Sequence, residues 1–307
     1  MSDAVARLKA QLPEHPSVDE LTPLADDYTG LRILAVHAHP DDESSKGSAS
    51  AAAYTDRGAR YMVATMTGGE RGDILNEEIK HSPRAHRDLP GMRRSEMAAA
   101  AKAIGIEHRW MGFVDSGLPE GDPMPPLPFG CFGVQPLERA AAPLVRLVRE
   151  YRPHVMISYD EIGGYPHPDH IMSHKVAVEA YEKAGDPEAY VGEGQPWAPL
   201  KLYYDRAFNP ERLVAGHEFL MARDGQSVFS GWMENLVNQV STEGIRHEST
   251  TRIPSSAYFD RRDQAMLAHA SQIDPNGAFF AIPTEDVKKV WPWEDYTLIA
   301  SRVPVDL

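Results

Sequence analysis

Residues 31–47, LRILAVHAHPDDESSKG, constrain this chain more than any other stretch. An apolar run over 31–38 breaks at His39-Pro40-Asp41-Asp42-Glu43, and a segment of small residues follows. A near-continuous apolar run ending in proline reads as a parallel strand buried on both faces. Ser44-Ser45 and the alanines Ala49, Ala51, Ala52 and Ala53 read as the start and body of one helix, which ends near Gly58. Open sheets built from strand-turn-helix units bind ligands just outside the carboxyl ends of their strands. This turn places one imidazole and three carboxylates there within a few residues.

The same pattern returns along the chain. Residues 60–66 (RYMVATM), 107–111 and 154–159 (HVMISY) read as strands, and 92–104, 137–151 and about 168–184 as helices. The alternation specifies an α/β fold: a Rossmann-like, doubly wound, mostly parallel sheet with helices on both faces. Its first and fourth strands are expected to be neighbours, in the order 3-2-1-4. Residues 1–29, broken by Pro13, Pro16 and Pro23, read as an N-terminal arm with a short helix over 5–11. Residues 30–190 then form the catalytic domain, and 191–307 a smaller C-terminal α+β lobe covering the active-site edge. That lobe should hold strands at 200–208, 246–253 and 296–303 and helices at 210–223 and 258–273. The Gly- and Pro-rich stretch 112–136 is too long for an idle connection and is expected to be functional; 77–90 reads as a polar loop.

Several classes of function are excluded. The net charge is −14, which disfavours a general nucleic-acid binder, since that would need a basic footprint. No apolar run approaches the ~20 residues of a membrane span, and the N-terminus lacks a signal-peptide core. The single cysteine, Cys131, allows no internal disulfide and suits a cytoplasmic protein. With no base near it in sequence, it reads as an ordinary loop thiol. Glycines 68, 69 and 72 follow the second strand, but neither GxGxxG after strand one nor GxxxxGK[ST] is present, which argues against nucleotide binding.

A second motif, His167-Pro168-Asp169-His170, stands between the fourth strand and its helix. Either motif alone has a plain reading: Asp42, Glu43 and Ser44 can cap a helix, and so can His167 with His170. The expected strand order brings the two together, and their donors then suit a catalytic metal. Zinc in such sites takes three N/O ligands and keeps a fourth position for water, which it makes acidic enough to supply hydroxide near neutral pH. His39, Asp42 and His170 supply the three, for one zinc per chain, although iron(II), cobalt or manganese also accept such a set. Asp41 is left as the general base. His167 is free to stabilise charge or to protonate the leaving amine, Asp169 to orient an imidazole, and Tyr165 to hydrogen-bond an oxyanion.

These motifs resemble those of the PIG-L/LmbE-like zinc N-deacetylases, which hydrolyse amides on glucosamine-type sugars. The runs TGGERGDILN, GFVDSGLP, YDEIGGYPHPDH, KLYY and HASQIDPN extend the resemblance over about residues 31–280 and are most similar to the branch that acts on mycothiol conjugates. The resemblance implies the same metal ligands and base, with His167 and Tyr165 assisting the tetrahedral intermediate and Asp169 supporting a histidine. It further implies that Arg93 and Asp115 hold sugar and inositol hydroxyls, and that Lys46 helps accept a cysteinyl acyl group. The expected reaction is hydrolysis of the amide joining glucosaminyl-inositol to an N-acetyl-cysteine S-conjugate, releasing a mercapturic acid in detoxification. The alternatives are deacetylation of N-acetylglucosaminyl-inositol and, from another class, a non-catalytic metal-dependent sugar-binding protein. Asp41 argues against the last, since binding needs no base. The expected partner is a small molecule, with no nucleic acid and no membrane.

Overall fold

The computed structural model describes residues 2–243 and 247–305. Strands β1 (Arg32–His37), β2 (Arg60–Thr67), β3 (Glu107–Phe113), β4 (Val155–Ser158) and β5 (Lys201–Asp205) run parallel. β7 (Trp293–Ser301) joins them antiparallel to β5, and β6 (Thr251–Pro254) pairs antiparallel with β7. Among the described residues these form one seven-stranded sheet in the order β3-β2-β1-β4-β5-β7-β6. The expected 3-2-1-4 core is therefore present, and the strand order reverses between β1 and β4. The carboxyl ends of these two strands carry the two motifs.

Helices α2 (Asp42–Ser45), α3 (Ser48–Thr55), α4 (Pro83–Arg87), α5 (Leu89–Ile104), α6 (Leu137–Tyr151) and α7 (Pro168–Lys183) connect the parallel strands. Two cores explain the unbroken apolar pattern of β1. Leu34 and Val36 pack with Met62, Ala64, Leu144, Val148, Val176 and Ala177, under α6 and α7. Ile33 and Ala35 point the other way, onto α3 and α5 through Ala51, Ala52, Ala100 and Ile104. A strand with both faces covered has no polar side to alternate with. In α6 the buried residues Ala140, Leu144, Leu147, Val148 and Tyr151 recur at helical spacing, as a one-sided helix requires.

The C-terminal segment adds β5, β7 and β6 to this same sheet and supplies α8 (Pro210–Asp224), α9 (Ser230–Glu243), α10 (Phe259–Ala268) and α11 (Thr284–Val290). α10 lies on α5 and against α2, which brings it to the back of the first motif. The N-terminal arm begins with α1 (Ser2–Lys9), whose Val5 and Leu8 pack on Val214, Met233 and Leu236 of α8 and α9. His15 further along the arm meets Trp291 edge-on at 5.0 Å.

Local readings differ from these elements in several places. The polar stretch 77–90 contains α4, and α9 and α11 stand where the sequence offers no strong periodic signal. The helix expected over 258–273 stops at Ala268. Of the strand expected over 246–253, Arg246 lies outside the described residues and the strand itself is Thr251–Pro254. Cys131 is fully buried. No helix among the described residues is long and apolar enough to cross a membrane.

Candidate metal centre and catalytic site

β1 ends at His37, and Pro40 just beyond it has no N–H to continue the ladder. Asp41 then takes φ 130° and ψ −27°, a conformation that costs energy for any residue but glycine. Glu43 holds it there, its Oε2 accepting the Asp41 N–H at 3.0 Å. The single helix expected over 44–58 is divided: α2 stops at Ser45 and α3 starts at Ser48. Gly47 between them has φ 98°, and a Cβ there would lie 2.6 Å from the Tyr296 hydroxyl. The break carries Lys46 into the interior, 5% exposed, where its ammonium pairs with Asp42 Oδ1.

Across the β1/β4 crevice, His167 caps α7, its Nδ1 accepting the Asp169 N–H at 3.1 Å. The neutral ring therefore carries its proton on Nε2. His170 Nδ1 lies 2.9 Å from the Gly163 carbonyl, which fixes the opposite tautomer and leaves Nε2 as an acceptor. That nitrogen faces His39 Nδ1 at 3.3 Å and Asp42 Oδ2 at 3.5 Å. His39 Nδ1 and Asp42 Oδ2 are 3.7 Å apart. A tetrahedral cation with bonds of about 2.0–2.2 Å separates neighbouring ligand atoms by about 3.3–3.6 Å. The triangle of His39, Asp42 and His170 fits that spacing, and its N/N/O chemistry suits a divalent metal. His167 is close by: nitrogens of His39, His167 and His170 lie within 4.8 Å of one another.

The remaining expected residues surround this triangle. Asp169 Oδ2 stands 3.3 Å from His39 Nε2, so His39 is the imidazole it orients, and Ser116 N–H holds that carboxylate at 2.8 Å. Asp115 Oδ1 also faces His39 Nε2, at 3.5 Å. Burial alone would lower the His39 pKa; hydrogen bonds to Asp115 and Asp169 and the charge of Asp42 outweigh it and raise it to about 10. A metal ion at Nδ1 competes with that proton. Burial and then the His39 charge depress His167 to about 4, which keeps its ring neutral. Burial pushes the Asp41 carboxyl above its ordinary value, against the opposing pull of Arg93, 3.5 Å away. A raised carboxyl is closer to the pH at which a base must work. Tyr165, 41% exposed, sits at the mouth with its ring 4.6 Å from that of His170.

Arg93 and Asp115 are 2% and 1% exposed and have partners inside the protein. The Arg93 guanidinium donates to the carbonyls of Gly69 at 2.9 Å and Pro40 at 2.8 Å, clamping the second glycine-rich turn to the first motif. Asp115 accepts the N–H groups of Arg71 and Gly117.

Three residues to which the sequence reading gives no part in catalysis or metal binding complete the site. Tyr159 donates to Asp42 Oδ2 at 2.7 Å, accepts the Ala38 N–H and stacks on His170. Glu43 pairs with His269 at 2.6 Å, both fully buried behind Asp41. Tyr159 closes a strand that reads as core, but the second pair had a signal: Glu43 and His269 both lie in runs quoted for the resemblance.

The comparisons with known proteins agree with this geometry. Residues 34–181 match the family model PIG-L, GlcNAc-PI de-N-acetylase. The mycothiol S-conjugate amidase of Streptomyces coelicolor is 47% identical over 281 residues, 90% of this chain and 94% of the relative. The chain belongs to the PIG-L family. A 1D-myo-inositol 2-acetamido-2-deoxy-alpha-D-glucopyranoside deacetylase of Streptomyces avermitilis is 36% identical over 89% of this chain and 93% of its own. The solved N,N'-diacetylchitobiose deacetylase of Pyrococcus horikoshii shares the fold, with a TM-score of 0.58, 14% identity and coverage of 87% and 83%. The relatives are amidases and deacetylases, and this PIG-L chain is likewise a hydrolase of amide bonds.

Proposed function

We propose that the chain hydrolyses the amide of mycothiol S-conjugates, releasing glucosaminyl-inositol and an N-acetyl-cysteine S-conjugate. The observation that carries this reading is the buried Lys46, turned by the α2–α3 break to the edge of the His39/Asp42/His170 triangle. The 47% identity to an amidase, against 36% to a deacetylase, supports it.

His39, Asp42 and His170 would hold one divalent ion, zinc being the proposed metal. The ion, when bound, polarises the scissile carbonyl and makes water a better nucleophile at neutral pH. Asp41 takes the proton that the attacking water loses and returns it to the leaving nitrogen as the C–N bond breaks. His167, held neutral with Nε2 protonated, donates a hydrogen bond to the oxygen that becomes negative. Tyr165 adds a second donor from the mouth of the site. Arg93 and Asp115 act from behind: the first fixes Pro40 and Asp41, the second fixes His39. Lys46 and Tyr159 hold the Asp42 carboxylate by its two oxygens, Oδ1 and Oδ2 respectively.

Two measurements test these assignments. Amine release from a mycothiol S-conjugate should exceed release from N-acetylglucosaminyl-inositol; the reverse preference moves the protein to deacetylation. His170→Ala should lose its metal on dialysis, with affinity falling by more than the roughly 10–100-fold that a supporting residue costs. Metal content measured against protein decides this, and full occupancy in the variant removes His170 from the ligand set.

A further inference from the structure

A cavity of about 100 Å³ lies beside the candidate metal site, walled by α8, α9, α10, α11 and the segments leading to them. Its lining includes Met266, Trp291, Phe229, Trp232, Phe279 and Ile282. Met266 and Trp291 are 3% and 2% exposed at its depth, whereas Trp232 and Phe279 are 45% and 43% exposed at its rim. Two contacts join it to the catalytic site. Ser45 of α2 forms part of its wall, immediately before Lys46. Phe208, also in the wall, has its ring 5.5 Å from the Lys46 ammonium. Of the two guanidiniums along the wall, Arg262 pairs with Asp263, and Arg212 donates to the carbonyl of Ala207, itself a wall residue.

Glucosamine and inositol do not suit these walls, because their hydroxyls would give up water and find few partners. On a mycothiol conjugate the sulfur stands three bonds from the scissile carbonyl carbon, on the acyl side. The S-substituent is the part of such a molecule that can be wholly apolar. We infer that this cavity receives the S-linked substituent and selects for alkyl and aryl groups. The inference rests on the amidase reading above and names the feature of the substrate that this chain prefers. A dry cavity of about 150 Å³ holds benzene. A smaller one with aromatic side chains exposed at its rim accepts a ring partly inserted. Lys46 then stands at the junction, between the carboxylate Asp42 and the first ring of the pocket.

The test compares S-methyl and S-benzyl mycothiol, with N-acetylglucosaminyl-inositol alongside, on the metal-loaded full-length enzyme. Binding is read separately from the tryptophan fluorescence of the cavity wall, titrated with N-acetyl-S-benzyl-cysteine and N-acetyl-S-methyl-cysteine. The benzyl compounds should be favoured in kcat/KM and in affinity by roughly 10–100-fold, the range a few apolar atoms in a pocket provide. Ala278→Trp, at a half-buried position in the wall, should erase most of this preference by lowering the S-benzyl rate far more than the S-methyl rate. Trp232→Ala, at the exposed rim, should weaken it partially and serves if the first variant does not fold. Equal turnover of both conjugates, or a preference that survives Ala278→Trp in folded protein, overturns the assignment of the cavity alone. Deacetylation of the acetylated sugar with neither conjugate turned over overturns the amidase reading and the assignment with it.

Discussion

Replacing Asp41 by asparagine is expected to lower turnover by about 10²–10⁴-fold while the metal stays bound. Asparagine keeps the size of the side chain and, like aspartate, tolerates the positive φ found here better than most residues. It cannot accept the proton of an attacking water. None of the three atoms that converge at 3.3–3.7 Å belongs to Asp41. Metal content should therefore match the wild type, and the loss should fall on kcat more than on KM. The comparison to make is Asp41→Asn against Asp42→Asn, with metal assayed in both. Loss of metal in the first and retention in the second would exchange the base and the ligand. Undiminished turnover in Asp41→Asn would remove the base altogether.

The candidate metal site is legible in the sequence because its expected donors arrive in two short runs, each at the carboxyl end of an apolar strand. Strand order then does the rest: β1 and β4 pair directly, so His39 and His170 meet although 131 positions separate them. The parallel core is legible for the same reason, since strands covered on both faces lose their polar alternation. What is hidden depends on partners far along the chain. SSKGSASAAA reads as one alanine-rich helix, and local propensity favours continuity. One local pair and one tertiary contact accompany its division: Lys46 with Asp42, four residues back, and the Tyr296 hydroxyl lying where a Cβ of residue 47 would stand. For Arg93 the resemblance implies a substrate ligand; its donation to the carbonyls of Gly69 and Pro40 is a contact that no local pattern shows. Tyr159 is indistinguishable in sequence from a core strand residue; only its hydroxyl, between Ala38 and Asp42, separates it from one.

The largest effect on stability should come from a residue outside the catalytic cluster. His269→Ala is expected to cost about 3–5 kcal/mol, because it leaves the Glu43 carboxylate buried without its partner. His269 Nε2 and Glu43 Oε1 are 2.6 Å apart, and both side chains are essentially inaccessible. Burial works against charge on Glu43, but the His269 charge and hydrogen bond outweigh it and lower its pKa from 4.5 to about 2. For His269, burial is likewise outweighed, by Glu43, and the pKa is raised above 6.5. The signs define a window. A lowered carboxylate contributes fully above pH 4.5 and loses that contribution as the pH falls toward 2. A raised histidine contributes fully below pH 6.5 and loses it as the pH climbs through its folded value. The difference in unfolding free energy between wild type and His269→Ala should thus be greatest between about pH 4.5 and 6.5 and shrink on both sides. Urea titrations across that range measure it. A flat difference below about 1 kcal/mol would mean that water or another donor replaces the imidazole. Because Glu43 also grips the Asp41 N–H, residual folded variant should lose turnover as well, through a base no longer held at its strained angle.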